Sequence, residues 1–277
     1  MTTNRALDGK TVWVTGSSRG LGRVMASHLG CLGASVAVHG TTPTSARAYN
    51  EAESLYQVAR HVAAETGSRV LAVTGDLTDE GQVKAAAAKI RAEFGRIDLL
   101  VANAGGDIGT AGTSGPEGGK PARNDCVFIS VEDLRSVLDR NLLSCILTCR
   151  EVAPEMMAHR SGCIVTIGSI AGSIGRADGA IYAVAKAAVH AYTRCLAAQL
   201  RPFNIPVNCV APGGTLTARF AATGQAKPTV LEKGEALEGY GRPEDIARAV
   251  EYFVTEAGRH VSGQVLRVDG GVQTWSA

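Results

Sequence analysis

The sequence predicts one α/β domain, a doubly wound parallel sheet of about seven strands with helices on both faces. Short apolar runs recur along the chain, and stretches with helical spacing separate them. This alternation is typical of a parallel sheet that is covered on both sides. With 277 residues the chain can bury a sizeable core in a single domain spanning 1–277, and we find no internal repeat or interdomain linker.

Each predicted strand is a short apolar run, and the first two are rich in β-branched residues. The runs lie near residues 11–15, 35–39, 69–73, 97–102, 162–168, 205–210 and 264–268. After the second run, Ser45–Thr66 is predicted to form an extended helical segment.

A glycine-rich loop, Thr15-Gly16-Ser17-Ser18-Arg19-Gly20-Leu21-Gly22, follows the first strand, and a helical pattern continues to about Leu32. The glycines let the backbone approach a ligand, and the helix N-terminus presents free N–H groups to an anion. A tight turn that binds nothing is the alternative, but the strand before the loop and the helix after it favour a phosphate site.

The end of the second strand bears on the choice of nucleotide. A site for NAD usually has Asp or Glu there to bind the ribose 2′-hydroxyl. This chain instead has Gly40-Thr41-Thr42, and the next acid is Glu51. Arg19 and the two threonine hydroxyls suit a 2′-phosphate, so the sequence favours NADP(H) over NAD(H). The alternative is a solvated Arg19 and a loose cofactor preference.

Four candidate catalytic residues lie further along the chain: Asn141, Ser169, Tyr182 and Lys186. The i, i+4 spacing of Tyr182 and Lys186 places a phenol and an ammonium on one helix face. A nearby ammonium stabilises a phenolate, so this phenol can give a proton to a forming alkoxide and take it back. Ser169 follows a predicted strand, at the end where ligands bind in parallel sheets.

From about Gly9 to Gly271, the chain resembles the short-chain dehydrogenase/reductase family in its single-domain form. The glycine loop looks like the family's TGxxxGxG motif, and the four candidate catalytic residues match its tetrad, with Ser-x12-Tyr-x3-Lys spacing. The segment Ala102–Gly105 is similar to the family's NNAG segment, although Ala102 replaces the first Asn. Gly241–Ala247 and Asp269–Gly271 are typical of its C-terminal part.

The resemblance implies a Rossmann-type fold and the reversible, NADPH-dependent reduction of a ketone or 3-oxoacyl carbonyl to a secondary alcohol. Tyr182 would be the general acid/base, and Lys186 would stabilise its phenolate and contact the nicotinamide ribose. Ser169 would bind the substrate oxygen, and Asn141 would hold a water that relays protons. The structural alternatives are a helix-capping Ser169 and a structural Asn141.

The same resemblance implies which residues contact the cofactor. Asp76 matches the acid that meets the adenine ring, and Pro212-Gly213 with Thr217 resembles the segment that holds the nicotinamide carboxamide. The full predicted set is Gly16, Ser18, Arg19, Gly20, Leu21, Gly22, Gly40, Thr41, Thr42, Asp76, Leu77, Asn103, Ala104, Gly105, Tyr182, Lys186, Pro212, Gly213, Thr215 and Thr217.

Substrate choice is expected to depend on two stretches, a Gly-rich insertion at about 106–129 and a substrate lid at about 214–238. The insertion has either a substrate-facing or subunit-contacting role, or is merely tolerated. Acyl-carrier reductases of the family often carry a basic residue at one position of the segment that corresponds to Arg201–Asn204. This chain has no basic residue at that position, which weakens the prediction of a 3-oxoacyl substrate bound to a carrier protein.

Two other functions remain open besides the reduction of a ketone or 3-oxoacyl group. The first is a sugar or polyol dehydrogenase that uses Arg176 and Asp178, and the second is a non-catalytic NADP(H)-binding sensor or scaffold.

The expected partner is a small-molecule substrate, and composition indicates neither nucleic acid nor membrane as a further partner. The net charge of +2 gives no reason to expect nucleic acid or a membrane surface, and no apolar run reaches transmembrane length. The start, Met1–Arg5, does not resemble a signal peptide. Seven scattered cysteines and six isolated histidines predict buried thiols in the cytoplasm and no metal. The resemblance implies a homotetramer, with a dimer as the next choice.

Overall fold

The computed structural model describes residues 5–275, and seven parallel strands in it form one sheet. The sheet order is β3-β2-β1-β4-β5-β6-β7. The strands are β1 (Thr11–Val14), β2 (Ser35–Gly40), β3 (Val70–Thr74), β4 (Leu99–Ala102), β5 (Cys163–Ile167), β6 (Val207–Pro212) and β7 (Val265–Val268). All seven predicted strands and the fold class are therefore confirmed.

Helices connect the strands and cover the sheet. They are α1 (Gly20–Cys31), α2 (Leu55–Thr66), α3 (Glu80–Phe94), the single turn α4 (Pro116–Gly119), α5 (Val131–Leu138), α6 (Ser144–His159), α7 (Ala180–Leu200), the short α8 (Ala218–Ala222) and α9 (Pro228–Leu231), and α10 (Pro243–Val254). Within residues 5–275, none of these helices is both long and apolar enough to cross a membrane. The prediction that the start of the chain is not a signal peptide rests mostly on residues 1–4, which lie outside the described range.

The core has two layers because successive side chains of a strand point to opposite faces of the sheet. In β1, Val12 and Val14 pack in the layer formed with α1 and α10, whereas Trp13 between them packs in the layer formed with α3, α6 and α7. All three side chains are fully buried. The near-continuous apolar runs of the sequence are explained by this burial on both faces.

The prediction of one extended helix over Ser45–Thr66 was wrong. Helix α2 begins only at Leu55, where the Ser54 hydroxyl accepts a hydrogen bond from the N–H of Gln57 at 3.2 Å. The preceding residues form an irregular turn in which Tyr49 and Asn50 have φ values of +66° and +57°. Left-handed backbone at two successive residues cannot continue a right-handed helix.

Strand β1 lies between β2 and β4, so the chain winds outward in opposite directions from this point. The loops that follow β1 and β4 therefore separate and leave a crevice at the carboxyl ends of the strands. The sheet order thus places any ligand site next to the glycine loop, which follows β1.

Candidate active site

A cleft of about 620 Å³ opens at this crevice and holds most of the predicted site residues. Ser169, Tyr182 and Lys186 line it, and so does every predicted cofactor residue except Thr42. Asn141 is buried behind the wall. Sequence-distant segments therefore meet in one cavity whose two ends differ in chemistry.

The glycine loop is pressed against the segment that follows β4. Gly16 has φ of +62°, and a Cβ there would lie 2.9 Å from the Cα of Ala104. The Asn103 amide donates hydrogen bonds to the carbonyls of Thr15 and Gly16, at 2.9 and 3.1 Å. These contacts hold the loop so that the N-terminus of α1 faces the cleft, as binding of an anion requires.

His39, near the end of β2, joins the two sides of this end of the cleft. Its Nδ1 accepts a hydrogen bond from the N–H of Gly16 at 3.1 Å, and its Nε2 donates to the carbonyl of Gly75 at 3.0 Å. Because a backbone N–H can only donate, Nδ1 is unprotonated and the ring is the neutral Nε2–H tautomer. Burial lowers the pKa of His39 to about 4.

Arg19 lies where the sequence places the adenosine end of a cofactor. Its guanidinium donates to the carbonyl of Ser45 and stands 5.8 Å from the ring centroid of Tyr49. Thr41 lines the cleft beside it, whereas Thr42 is turned away and donates its N–H to the Ser45 hydroxyl at 2.9 Å. Ser45 thus takes the place in the wall that the sequence assigned to Thr42.

Glu51 also reaches the cleft, which the sequence did not reveal. Its carboxylate accepts a hydrogen bond from the N–H of Gly20 at 2.8 Å, at the N-terminus of α1. Arg23 donates to the carbonyl of Glu51 at 3.1 Å and holds the segment in place. A carboxylate is stabilised at a helix N-terminus for the same reason that a phosphate is. The irregular turn before α2 makes this contact possible, so a helix prediction over that stretch could not find it.

Asn141 is held by three hydrogen bonds in a π-helical turn, Asp139–Leu143, between α5 and α6. Both of its amide hydrogens are donated, to the carbonyls of Gly106 and Val137, each at 2.8 Å. Its Oδ1 accepts from the N–H of Gly106, also at 2.8 Å. Gly105 passes so close that a Cβ there would overlap Asn141 Oδ1 and lie 3.4 Å from Lys186 Nζ. The Asn141 amide therefore holds Gly105 and Gly106, which follow β4, next to the Lys186 ammonium.

Tyr182 and Lys186 share one face of α7, as their spacing predicts. The Lys186 ammonium donates to the carbonyl of Ile167 at 2.8 Å and lies 5.7 Å from the centroid of the Tyr182 ring. Ser169 follows β5, and its Oγ accepts a hydrogen bond from the N–H of Ala171 at 3.1 Å. That contact caps a short helical turn and uses a lone pair only, so the hydroxyl hydrogen stays free for a ligand.

The 106–129 insertion forms part of the wall at the other end of the cleft. Its Asn124 carbonyl accepts the N–H groups of Gly179 and Ala180, at 2.9 and 3.1 Å, where α7 begins. The Asn124 amide donates to the buried Asp107 carboxylate at 2.7 Å. Burial raises the pKa of Asp107, and the Asn124 hydrogen bond opposes that rise. The insertion is thus bonded to the start of α7, the helix that carries Tyr182 and Lys186.

Residues from the first part of the predicted lid, between Gly214 and Gln225, line this end of the cleft. Thr217 caps α8 by accepting from the N–H of Phe220 at 3.1 Å. Arg219 donates to the carbonyl of Asp107 at 2.7 Å, and so joins the lid to the insertion. Both Asp107 and Arg219 line the cleft, and nothing in their spacing distinguished them beforehand. Across residues 5–275 there is no cluster of His, Cys, Asp and Glu suited to a metal ion.

With this geometry established, comparison with known proteins identifies the family. The model of the short chain dehydrogenase family matches residues 10–228. The chain belongs to this family. Cyclohexanol dehydrogenase of Rhodococcus sp. (strain TK6) is 37% identical over 283 residues, covering 98% of this chain and 99% of that protein. A 3-oxoacyl-[acyl-carrier-protein] reductase of Chlamydia muridarum is 32% identical over 270 residues, covering 97% and 99%.

Solved structures agree with this assignment. The complex of a 7α-hydroxysteroid dehydrogenase with NADH and 7-oxo glycochenodeoxycholic acid superposes with a TM-score of 0.79 at 31% identity, covering 98% of this chain and 97% of the other. This short-chain dehydrogenase is therefore an oxidoreductase that acts on CH–OH groups, in a family that uses nicotinamide nucleotides.

The cleft fits such a nucleotide. The glycine loop leaves no room for a Cβ at Gly16 or Gly22, and the α1 N-terminus faces the cavity. The buried Nε atom of Arg140 lacks a hydrogen-bond partner among the described residues, and Arg140 lines the cleft. Unpaired buried donors of this kind are suited to the phosphates of a dinucleotide.

Proposed function

We propose that this enzyme reduces a ketone to a secondary alcohol with NADPH, reversibly. One observation carries the proposal. Ser169, Tyr182 and Lys186 line the same cleft as Arg19, whose end of the cavity has no carboxylate at the end of β2. The same cavity thus contains Tyr182, a proton donor for the substrate oxygen, and Arg19, a cation for a 2′-phosphate.

Each of the three catalytic side chains has a separate task in this proposal. Ser169 donates its free hydroxyl hydrogen to the substrate oxygen, where negative charge develops. Tyr182 gives its proton to that oxygen and takes it back in the reverse reaction. Lys186, held by the carbonyl of Ile167, stabilises the phenolate. The cofactor, when bound, supplies or accepts the hydride.

Asn141 is proposed to support the proton relay by holding a water. Both amide hydrogens are already donated within the protein, so a water at this side chain would have to donate to Oδ1. Otherwise the water binds a main-chain oxygen of the π-helical turn. The structural contribution of Asn141, which binds Gly106 and so keeps Gly105 beside Lys186, accompanies either arrangement.

The preference for NADPH over NADH is supported by charge at the adenosine end. Arg19 supplies the cation there, and Thr41 and Ser45 supply hydroxyls. Asp76, Leu77, Pro212, Gly213, Thr215 and Thr217 line the same cleft. In this proposal the first two contact the adenine and the other four contact the nicotinamide. A carboxylate at the end of β2 would repel a 2′-phosphate, so Gly40 at that place favours the phosphorylated cofactor.

A sugar or polyol dehydrogenase is the second candidate, and the polar wall of the substrate end supports it. Asp107, Lys120 and Arg176 all line the cavity and offer partners for hydroxyl groups. A 2-dehydro-3-deoxy-D-gluconate 5-dehydrogenase of Formosa agariphila is 29% identical over 274 residues, covering 95% of this chain and 92% of that protein. A 3-oxoacyl substrate remains within the proposal because of the relationship to the reductase from Chlamydia.

We also propose a homotetramer located in the cytoplasm. Exposed apolar side chains support assembly, on α7 at Val184 and beyond β7 at Val272 and Trp275. All seven cysteines are free thiols, which suits a reducing compartment. Size-exclusion chromatography with light scattering tests the assembly, and elution at the monomer mass of 28.7 kDa would refute it.

The decisive experiment follows NADPH and NADH oxidation at 340 nm with simple ketones, 3-oxoesters and ketoses. The proposal expects turnover of ketones with NADPH; turnover restricted to ketoses would select the second candidate. Tyr182→Phe should lose turnover while still binding NADPH. A sensor or scaffold would keep its biological activity in this variant, and wild-type protein that binds NADPH without any turnover would contradict the proposed reaction.

A further inference from the structure

The substrate end of the cleft carries three cationic side chains, one from each of the loops that form it. Lys120 comes from the insertion, Arg176 from the loop between Ser169 and Tyr182, and Arg219 from the lid. No cation in these places is needed for proton transfer to a carbonyl. The three residues therefore call for an explanation of their own.

Lys120 is largely withdrawn from water. Its side chain is 9% exposed, and its ammonium donates no hydrogen bond to any residue within 5–275. Among these residues, the single carboxylate within 4.0 Å of the Lys120 ammonium is that of Asp178, at 3.9 Å. The Asp178 side chain is 65% exposed. Burying an ammonium with so weak a partner is unfavourable, and an acceptor from outside the chain would reduce that cost.

The two arginines are also incompletely bonded. Arg219 uses Nη2 for the carbonyl of Asp107, while its buried Nε has no partner among residues 5–275. Arg176 donates no side-chain hydrogen bond within that range, and a Cβ on Gly179 would lie 3.8 Å from its guanidinium carbon. A guanidinium with free N–H groups in a cleft matches the geometry of a carboxylate.

The acids at this end do not neutralise the three cations. Asp178 is exposed and screened by solvent. Asp107 is buried, with one oxygen bonded to Asn124 and the other without a partner in the described chain. Burial raises the pKa of Asp107, so this carboxyl holds its charge less readily than an ordinary aspartate. Within residues 5–275, neither carboxylate accepts a hydrogen bond from Lys120 or Arg176.

We infer that the substrate is a ketone, or its alcohol, that also carries a carboxylate. Lys120 and Arg176 bind the carboxylate while Ser169 and Tyr182 bind the reacting oxygen. The inference rests on the proposed function, which it narrows from ketones in general to oxo acids. Ile108, Ile174 and Phe220 line the same end, so the carbon skeleton between the two polar groups lies against apolar side chains.

Matched pairs of substrates test this inference. A series of oxo acids, from 4-oxopentanoate to 4-oxocyclohexanecarboxylate, is compared with the methyl ester of each, by NADPH and NADH oxidation. We expect at least one acid to have a kcat/KM tenfold or more above that of its ester. Lys120→Met and Arg176→Met should each lower kcat/KM for that acid about tenfold, since charge-assisted hydrogen bonds are lost. For the ester they should change it less than twofold.

Arg123→Gln is the control, because Arg123 belongs to the same insertion but is exposed and lies 5.1 Å from the ring centroid of Phe128. It should leave both substrates unaffected. Equal rates for acid and ester throughout the series would overturn the inference, as would variants that impair both equally. If esters and simple ketones react while the acids do not, the inference fails and the proposed function stands.

A binding measurement covers the case in which no compound is turned over, which would contradict the proposed function itself. Protein saturated with NADP⁺ is titrated with each acid and its ester by calorimetry, where no reduction can occur. Tenfold tighter binding of an acid, lost in Lys120→Met, would sustain the inference about the site. Equal or absent binding would overturn it as well.

Discussion

The two ends of the cleft are built in different ways. The cofactor end is formed largely by main-chain groups at the ends of strands, and it is fixed by bonds such as those of Asn103 and His39 to the glycine loop. The substrate end is formed by side chains on three loops, which meet through Arg219, Asp107 and Asn124. The fold thus determines the shape of the first end, whereas individual side chains determine the chemistry of the second.

The largest expected effect comes from the place where the two ends join. Gly105→Ala would push a Cβ into Asn141 Oδ1, break the hold of Asn141 on Gly106 and crowd Lys186. We expect kcat to fall about 100-fold, because displacements of about 1 Å can cost that much. Steady-state kinetics with a ketone substrate and thermal unfolding measure the change.

Gly95→Ala is the matched control for strain. Gly95 also has a positive φ, of +90°, but a Cβ there would meet nothing within 4 Å. It should cost stability only, by about 1 kcal/mol. Similar kinetic losses in both variants would show that backbone strain, and not the contact with Asn141, limits the reaction.

Arg19→Gln tests whether the cofactor end distinguishes NADPH from NADH by the charge of the 2′-phosphate. Removal of the guanidinium should lower kcat/KM for NADPH about 10- to 100-fold, because the lost charge-assisted hydrogen bond contributes about 1.5–3 kcal/mol to binding. For NADH the change should stay within about twofold. Arg47→Gln is the control, since Arg47 is an exposed cation of the neighbouring segment and donates to Glu53. Equal losses with both cofactors would mean that Arg19 binds a group common to them.

His39 allows a test of rigidity at the cofactor end through pH. Unfolded, this histidine titrates near 6.5, whereas burial lowers its pKa to about 4 in the folded protein. Between these values the unfolded state binds the proton, so the free energy of unfolding decreases as pH falls through this range. The full contribution is on the order of 3 kcal/mol.

His39→Gln keeps a donor for Gly75 but leaves the N–H of Gly16 without its acceptor. We expect the KM for the cofactor to rise about tenfold with kcat nearly unchanged. In urea titrations the stability advantage of the wild type over this variant should shrink between pH 6.5 and 4. An advantage that does not vary with pH would show that His39 is not held neutral.

The strands and the glycine loop could be predicted because strand, glycine turn and helix are local sequence patterns. All seven strands were found, and the predicted contacts line the cleft with the exception of Thr42. The substrate end was predicted only as two stretches of chain. Lys120 and Glu51 reach the cleft through irregular turns, and Arg219 reaches it from the short helix α8. The paths of these segments depend on contacts such as that of Tyr49 with Gly118. Periodicity carries no information about such paths.

Substitution of Glu51 should have the smallest effect on the cofactor, and it should strengthen cofactor binding where the other substitutions weaken function. Its carboxylate occupies the N–H of Gly20, which a cofactor phosphate at the α1 N-terminus would also need. Glu51→Gln removes the repulsion between two anions, so the Kd for NADPH should fall about three- to tenfold at low salt. The gain should diminish at high ionic strength because salt screens it. Without cofactor, the variant should be less stable by about 0.5–1 kcal/mol, since the helix N-terminus loses its anion. Unchanged or weaker binding would mean that Glu51 assists the cofactor, as an acceptor for a ribose hydroxyl, and that this end of the cleft also depends on an individual side chain.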